Sequence, residues 1–245
     1  MSNQVKKNIS PFFWLHIKKS AGGSIRRLLT PEYIDVDRDQ KPMNFIQAHP
    51  SQYNAILNNF RIPLGEYRFR RALFAKRYLY PNNWDDLLSF AFVREPMARC
   101  ISAFFYLRNQ VGWERSFLQE ANATDRPIEQ QFTLFLNVIE SAQNSTSIYM
   151  PINLHFTTHT AAMWDDVTDE NGTQLIRHIF RLDDLHKGLS FALNACGIDR
   201  DLAQLEHVNQ RAHDLDYTPT AAQVAKIHSL YARDFDLYEM ADGNA

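Results

Sequence analysis

The 245-residue chain is long enough for one full-sized domain, and 45 % hydrophobic residues supply a substantial core. A formal net charge of −2 excludes a global attraction to nucleic acid, so any anion site must be a local gathering of Lys and Arg. Cys100 and Cys196 are too few for a disulfide framework and are not spaced for zinc, which suits a reduced compartment.

The opening MSNQVKKNIS is polar and reaches the first apolar run without room for a signal peptide or anchor. No run approaches the roughly 20 apolar residues of a membrane helix. The expectation is a cytoplasmic protein with no membrane partner. Asn-X-Ser/Thr triplets begin at Asn8, Asn122, Asn144 and Asn171, and a chain rich in these residues makes such triplets by chance.

In chain order, FFWLHI reads as a buried strand, and Ile25, Leu28 and Leu29 share one face of a helix that follows. Between them lies a short loop of lysines, small residues and two glycines. MNFIQAHP reads as a short strand ending in His49, and SQYNAILNNF as a helix with Tyr53, Ile56 and Leu57 on one face. LLSFAFV, Leu87 to Val93, has the continuous apolar pattern of a strand buried on both faces. REPMARCISAFFYLR follows at once, with Pro96 suited to the first turn of a helix.

Pro127 opens a helix whose face carries Ile128, Phe132, Phe135, Leu136 and Ile139. Leu175 to Leu182 reads as a strand, capped at Asp183 or Asp184 and followed by a helix that Gly197 stops. TAAQVAKIHSLYARDF begins with a Thr220 and Gln223 capping pair and reads as one helix. Strands alternating with helices, without repeats or linkers, predict an α/β fold: a single domain with a central, mainly parallel sheet flanked by helices. It spans 1–245, with polar tails at 1–10 and 239–245.

The first loop has the makings of an anion site. A helix's opening turn exposes unpaired N–H groups and about half a positive charge. Gly22 and Gly23 allow close backbone approach, Ser20 and Ser24 add hydroxyls, and Lys19 adds a mobile charge. An ordinary strand-to-helix turn is the plainer reading. The nucleoside-triphosphate loop, with Gly, four residues, then Gly-Lys-Ser/Thr, is absent.

HIKKSAGGSI, His16 to Ile25, resembles the 5′-phosphosulfate loop of sulfotransferases that use PAPS (3′-phosphoadenosine 5′-phosphosulfate), in the carbohydrate-type, family 2-like branch. That pattern runs approximately His-Ile-Pro-Lys-Thr-Ala-Gly-Thr-Ser. Lys19, Ala21, Gly22 and Ser24 match, and Ser20 stands in for Thr. Lys18 replaces a common proline, and Gly23 a common threonine with its hydroxyl. FAFVREPMARCISAFF resembles the family's 3′-phosphate motif, with Phe92, Val93, Arg94, Pro96, Arg99 and Ser102 in register. Arg94, at the carboxyl end of a buried strand, can fork onto a phosphate, and Ser102 can donate to the same group. INLHFTTH, FRLDDL, HVNQRAH and LYARDFDLY are similar to later segments of the family.

The resemblance implies a P-loop-like domain and sulfuryl transfer from PAPS to a small-molecule or glycan hydroxyl, most readily a carbohydrate; no metal is implied, because the sequence offers no Asp-Glu-His cluster with ligand spacing. It makes Lys19 the group that stabilises the departing phosphate and His49 the base, with His155 and His159 as rivals. Lys19, Ser20, Ala21, Gly22, Gly23, Ser24, Arg94 and Ser102 would bind the donor. A phosphotransferase and a catalytically inactive nucleotide-binding module are the alternatives. Trp113, Trp164, Tyr106 and Tyr149 either stack on sugar rings or belong to the core. The basic stretch Arg68 to Arg77 either meets an acidic ligand or forms a solvated helix face. Nothing in the sequence sets an oligomeric state.

Overall fold

The computed structural model describes residues 10, 12–29, 69–108, 117–144, 154–202, 205 and 217–241. Strand β1, Phe12–Leu15, leads into helix α1, Gly22–Leu29. Helix α2, Arg71–Phe74, runs into a π-helical turn, Ala75–Leu79, and a 3-10 turn, Trp84–Asp86, precedes β2, Leu88–Val93. Then come α3, Pro96–Arg108; α4, Phe117–Glu120; α5, Ile128–Asn144; α6, Leu154–Thr160; and α7, Met163–Val167. Strand β3, His178–Arg181, is followed by α8, Leu185–Cys196, and the described chain closes with α9, Ala221–Leu230, and α10, Ala232–Met240.

The three strands form one parallel sheet in the order β1-β2-β3, with Leu15 opposite Ala91 and Val93 opposite Arg181. Their carboxyl ends therefore share one edge, where open α/β sheets bind ligands. Alternation along each strand assigns the two faces. Phe13, Leu15, Ala91, Val93 and Ile179 pack with α2, α7 and Leu237. Trp14, Phe90, Phe92 and Phe180 face the other way, onto Ile25 and Leu29 of α1 and Leu185, Leu189 and Leu193 of α8. Helix α8 approaches closely: a Cβ at Gly188 would lie 2.6 Å from Phe180 Cγ. A separate aromatic core, built on Phe104, Phe132, Phe135 and Phe156, joins α3, α5, α6 and α9 beside the sheet.

Most sequence-based elements sit where expected, with local differences. Ile128 is exposed while Phe132, Phe135, Leu136 and Ile139 are buried. β3 is shorter than predicted, and a 3-10 turn, Leu182–Asp184, intervenes before α8. Asp184 occupies the cap position without a side-chain capping bond, and Asp183 instead accepts the Tyr238 hydroxyl. Gly197 ends α8 at φ 72°, and Thr220 with Gln223 forms the expected capping box. The single helix predicted after Thr220 breaks at Tyr231, whose buried hydroxyl donates to the Thr160 carbonyl. At the expected tails, Ser10 N–H donates to the Cys196 carbonyl, and α10 continues through Met240 to a buried Ala241. The strand and helix predicted between Met43 and Phe60 lie outside the described residues.

Candidate active site

β1 ends at Leu15, and the chain turns through His16 to Ala21 before α1 begins. Lys19 and Ala21 have φ of 68° and 54°, left-handed without being glycine. Each such residue costs about 1–2 kcal/mol. Tertiary contacts must hold the turn, and strain of this kind gathers at functional sites. Left-handed residues in a turn aim successive N–H groups into one concavity, a nest for anions. The first internal bond of α1 runs from Ile25 N–H to the Ala21 carbonyl, so the amides before it lack an intrahelical partner. Ser20 adds a buried hydroxyl with no hydrogen-bond partner among the described residues. Such a group costs about 1–3 kcal/mol, which a phosphate or sulfate oxygen accepting from it would offset.

Two buried arginines hold the turn from either side. Arg71 donates from Nη1 to the His16 carbonyl at 2.9 Å, and from Nε to Asp166 Oδ1 at 2.9 Å, with Nη2 completing the fork on Asp166. Arg99 donates from Nε to the Lys18 carbonyl at 3.1 Å and from Nη2 to the Ala161 carbonyl at 2.7 Å. Its Nη1 lies 3.7 Å from Asp234 Oδ2. Asp234 also accepts the Met163 and Trp164 amides that open α7, each at 2.9 Å. Burial pushes the Asp234 carboxyl up to about 6, against the pull of Arg99 and those amides. Sequence spacing could not reveal Arg71, because its carboxylate partner is 95 residues away. The basic stretch divides, with Arg77 on an exposed helical face and Arg71 buried. Arg71 is in a buried pair, Arg70 donates to the Asp169 carbonyl, Arg77 pairs with Glu170, and Arg68 lies outside the described residues.

The two glycines differ. A Cβ at Gly22 would lie 1.6 Å from His16 Nε2, so this glycine makes room for an imidazole that stacks on Trp14. Gly23 is exposed. Ser24 is buried. Burial, then Lys18, Arg26 and Arg71, hold His16 well below the ordinary imidazole range. Lys18 is buried too, and burial with Arg71 and Arg26 lowers its pKa despite Asp166. The loop thus concentrates cations that disfavour one another's charge, the electrostatic setting in which an anion binds well.

The second block stands beside the first. Arg94 directly follows β2, and Ser102 is buried nearly two turns into α3. Because β1 and β2 are hydrogen-bonded neighbours and Arg99 of α3 grips the Lys18 carbonyl, the two motifs adjoin. Glu95 spends both carboxylate oxygens on the start of α3, accepting from Met97 N–H at 2.9 Å and Ala98 N–H at 2.6 Å.

Lys19 Nζ lies 4.2 Å from the centre of the Tyr106 ring on α3. Tyr106 stacks on His159 at 4.8 Å and on His155 at 5.6 Å, both from α6. Both histidines are buried, and their stacking on Tyr106 brings them to the lysine. His49, Trp113 and Tyr149 lie outside the described residues. Trp164 is partly buried against the core and borders a cavity of about 560 Å³ with Thr157, Ala161, Asp165 and Arg233. Thr157 is on the face of α6 opposite His155 and His159, and neither those histidines nor Lys19 line this cavity.

A search of curated proteins and a search of solved structures each found no significant match. A family model described as the sulfotransferase family matches residues 6–241, nearly the whole chain, including both motifs and the elements that hold them together. The chain belongs to the sulfotransferase family.

Proposed function

We propose that the protein moves a sulfuryl group from PAPS to a hydroxyl, with a carbohydrate as the acceptor class. The observation carrying this reading is the junction of the two motifs: the left-handed Lys19 turn, with its buried unpartnered Ser20 hydroxyl, is tied by Arg99 to the helix that bears Ser102 and follows Arg94. Resemblance of both motifs to the carbohydrate branch supports the donor and the acceptor class.

Lys19, Ser20, Ala21, Gly22, Gly23 and Ser24 would hold the 5′ end of the donor through backbone amides, hydroxyls and an ammonium. Arg94 and Ser102 would take the 3′-phosphate. When bound, PAPS supplies an activated sulfuryl group whose transfer leaves charge on a phosphate oxygen. Lys19 places its ammonium where that charge develops, which lowers the barrier most. The acceptor hydroxyl yields its proton to a histidine, for which the resemblance points to His49 with His155 and His159 as rivals.

Labelled sulfate transfer from PAPS to a panel of carbohydrate and small-molecule hydroxyls tests the reading. Lys19→Ala is expected to lose about 10²–10³ in kcat, while adenosine 3′,5′-bisphosphate still binds. Undiminished turnover in that variant would remove Lys19 from the chemistry. Absence of transfer to any acceptor by wild type would remove the reading.

A further inference from the structure

The proton on His159 is fixed by its surroundings. Its Nδ1 lies 2.8 Å from the His155 carbonyl oxygen. A carbonyl only accepts, so Nδ1 carries hydrogen and Nε2 keeps its lone pair. The ring is clamped between neighbours, with His155 at 4.3 Å and Tyr106 at 4.8 Å between centroids. Tyr106 is also the ring that carries Lys19 Nζ. A neutral imidazole of set tautomer is thus held one aromatic ring from the ammonium assigned to the leaving group.

We propose that His159 is the base that takes the acceptor's proton, and that the charge of the bound nucleotide switches on its basicity. The assignment rests on the sulfuryl-transfer reading above. In the step, the acceptor oxygen bonds to sulfur as the bond from sulfur to the bridging phosphate oxygen breaks. The electron pair of the broken bond stays on that phosphate oxygen beside Lys19. The acceptor's proton moves to Nε2 of His159.

The switch follows from what surrounds the ring. Lys18, Lys19 and His16 face it from the β1–α1 loop, Tyr106 from α3, and His155 from one turn back on α6. Burial first, then Lys18 and His155, hold its pKa well below the ordinary range, against the hydrogen bond to the His155 carbonyl, with Lys19 adding to the fall. So depressed, the imidazole is a weak base. Phosphates bound against Lys18 and Lys19 oppose the field of those cations and return the ring toward neutral pKa, where general bases work best. Linkage makes the effect reciprocal, so protonation of His159 must tighten nucleotide binding by the same factor.

The test follows the His159 ring proton by NMR across pH, with and without adenosine 3′,5′-bisphosphate, alongside kcat–pH profiles of wild type and His159→Gln. His159 is expected to rise by about one unit or more on saturation, with a matching roughly tenfold tightening of nucleotide binding as it protonates. His159→Gln should flatten that pH dependence of binding and lose about 10²-fold or more in kcat. A His159 resonance indifferent to the nucleotide overturns the switch, and it needs no variant to be read. Wild-type kcat in His159→Gln at every pH overturns the base, and a corresponding loss in His49→Ala would return the role to His49. If wild type transfers no sulfate from PAPS, the donor reading fails, which the wild-type arm separates from failure of the base.

Discussion

Gly22 and Gly23 are adjacent in sequence, yet substituting each with alanine should have opposite effects. At Gly22 the new methyl would sit 1.6 Å from His16 Nε2 and 2.1 Å from its Cδ2, inside the volume of the ring. The imidazole must leave its stack on Trp14 and its contact with Arg26, 3.4 Å from Nδ1. Overpacking of this kind costs about 1–3 kcal/mol, and the better helix propensity of alanine returns up to about 1 kcal/mol. Central values leave a net loss of about 1 kcal/mol, which for a chain of this size lowers Tm by roughly 2–4 °C. Gly23 is exposed within the first turn of α1, so alanine there meets no buried ring and should raise Tm by about 1–4 °C. If backbone near Gly23 approaches the nucleotide, the same variant binds adenosine 3′,5′-bisphosphate more weakly despite its higher Tm. Scanning calorimetry without nucleotide, followed by titration with it, separates the two effects. A Gly22→Ala protein as stable as wild type would refute the packing assigned to His16.

Gly188→Ala should destabilise by about 1–3 kcal/mol, read by denaturant unfolding, because α8 must retreat from Phe180 and Phe92; an unchanged midpoint contradicts the close helix–sheet contact. The Asp234 carboxyl titrates near 6 in the fold against 3.8 unfolded, so its contribution to stability is full below about 3.8 and lost as pH rises through about 6. Tm of wild type should therefore fall more between pH 4 and 6.5 than that of Asp234→Asn, and parallel curves would contradict the raised carboxyl.

How far the sequence carried depended on whether the evidence was local. LSFAFV between polar segments, the Thr220/Gln223 pair and Gly197 are short-range signals, and each marks an element or boundary in the fold. The α/β class followed from their alternation. Lys19, Arg94 and Ser102 were singled out within two short blocks by resemblance, and the fold brings those blocks to adjoining strand ends. What spacing could not show are pairings across the chain: Arg71 with Asp166, Arg99 with Asp234, and Lys19 over Tyr106. The break at Tyr231 escaped for the same reason, since good helix formers flank it and its hydroxyl answers to Thr160. His155 and His159 were visible as candidates, but only α6 packing against α3 brings them to the lysine. At Gly22 the fold adds a packing role that spacing did not show, room for the His16 ring of the same loop.

The central claim is that the Lys19 turn and the Arg94/Ser102 pair hold the two ends of one nucleotide. Calorimetric titration with adenosine 3′,5′-bisphosphate and with adenosine 5′-monophosphate, using wild type and Arg94→Ala, tests it most directly. The account predicts one nucleotide per chain, a large loss on removing the 3′-phosphate, and no further loss from Arg94→Ala once that phosphate is gone. Losses that simply add, or a bisphosphate that does not bind, would contradict it.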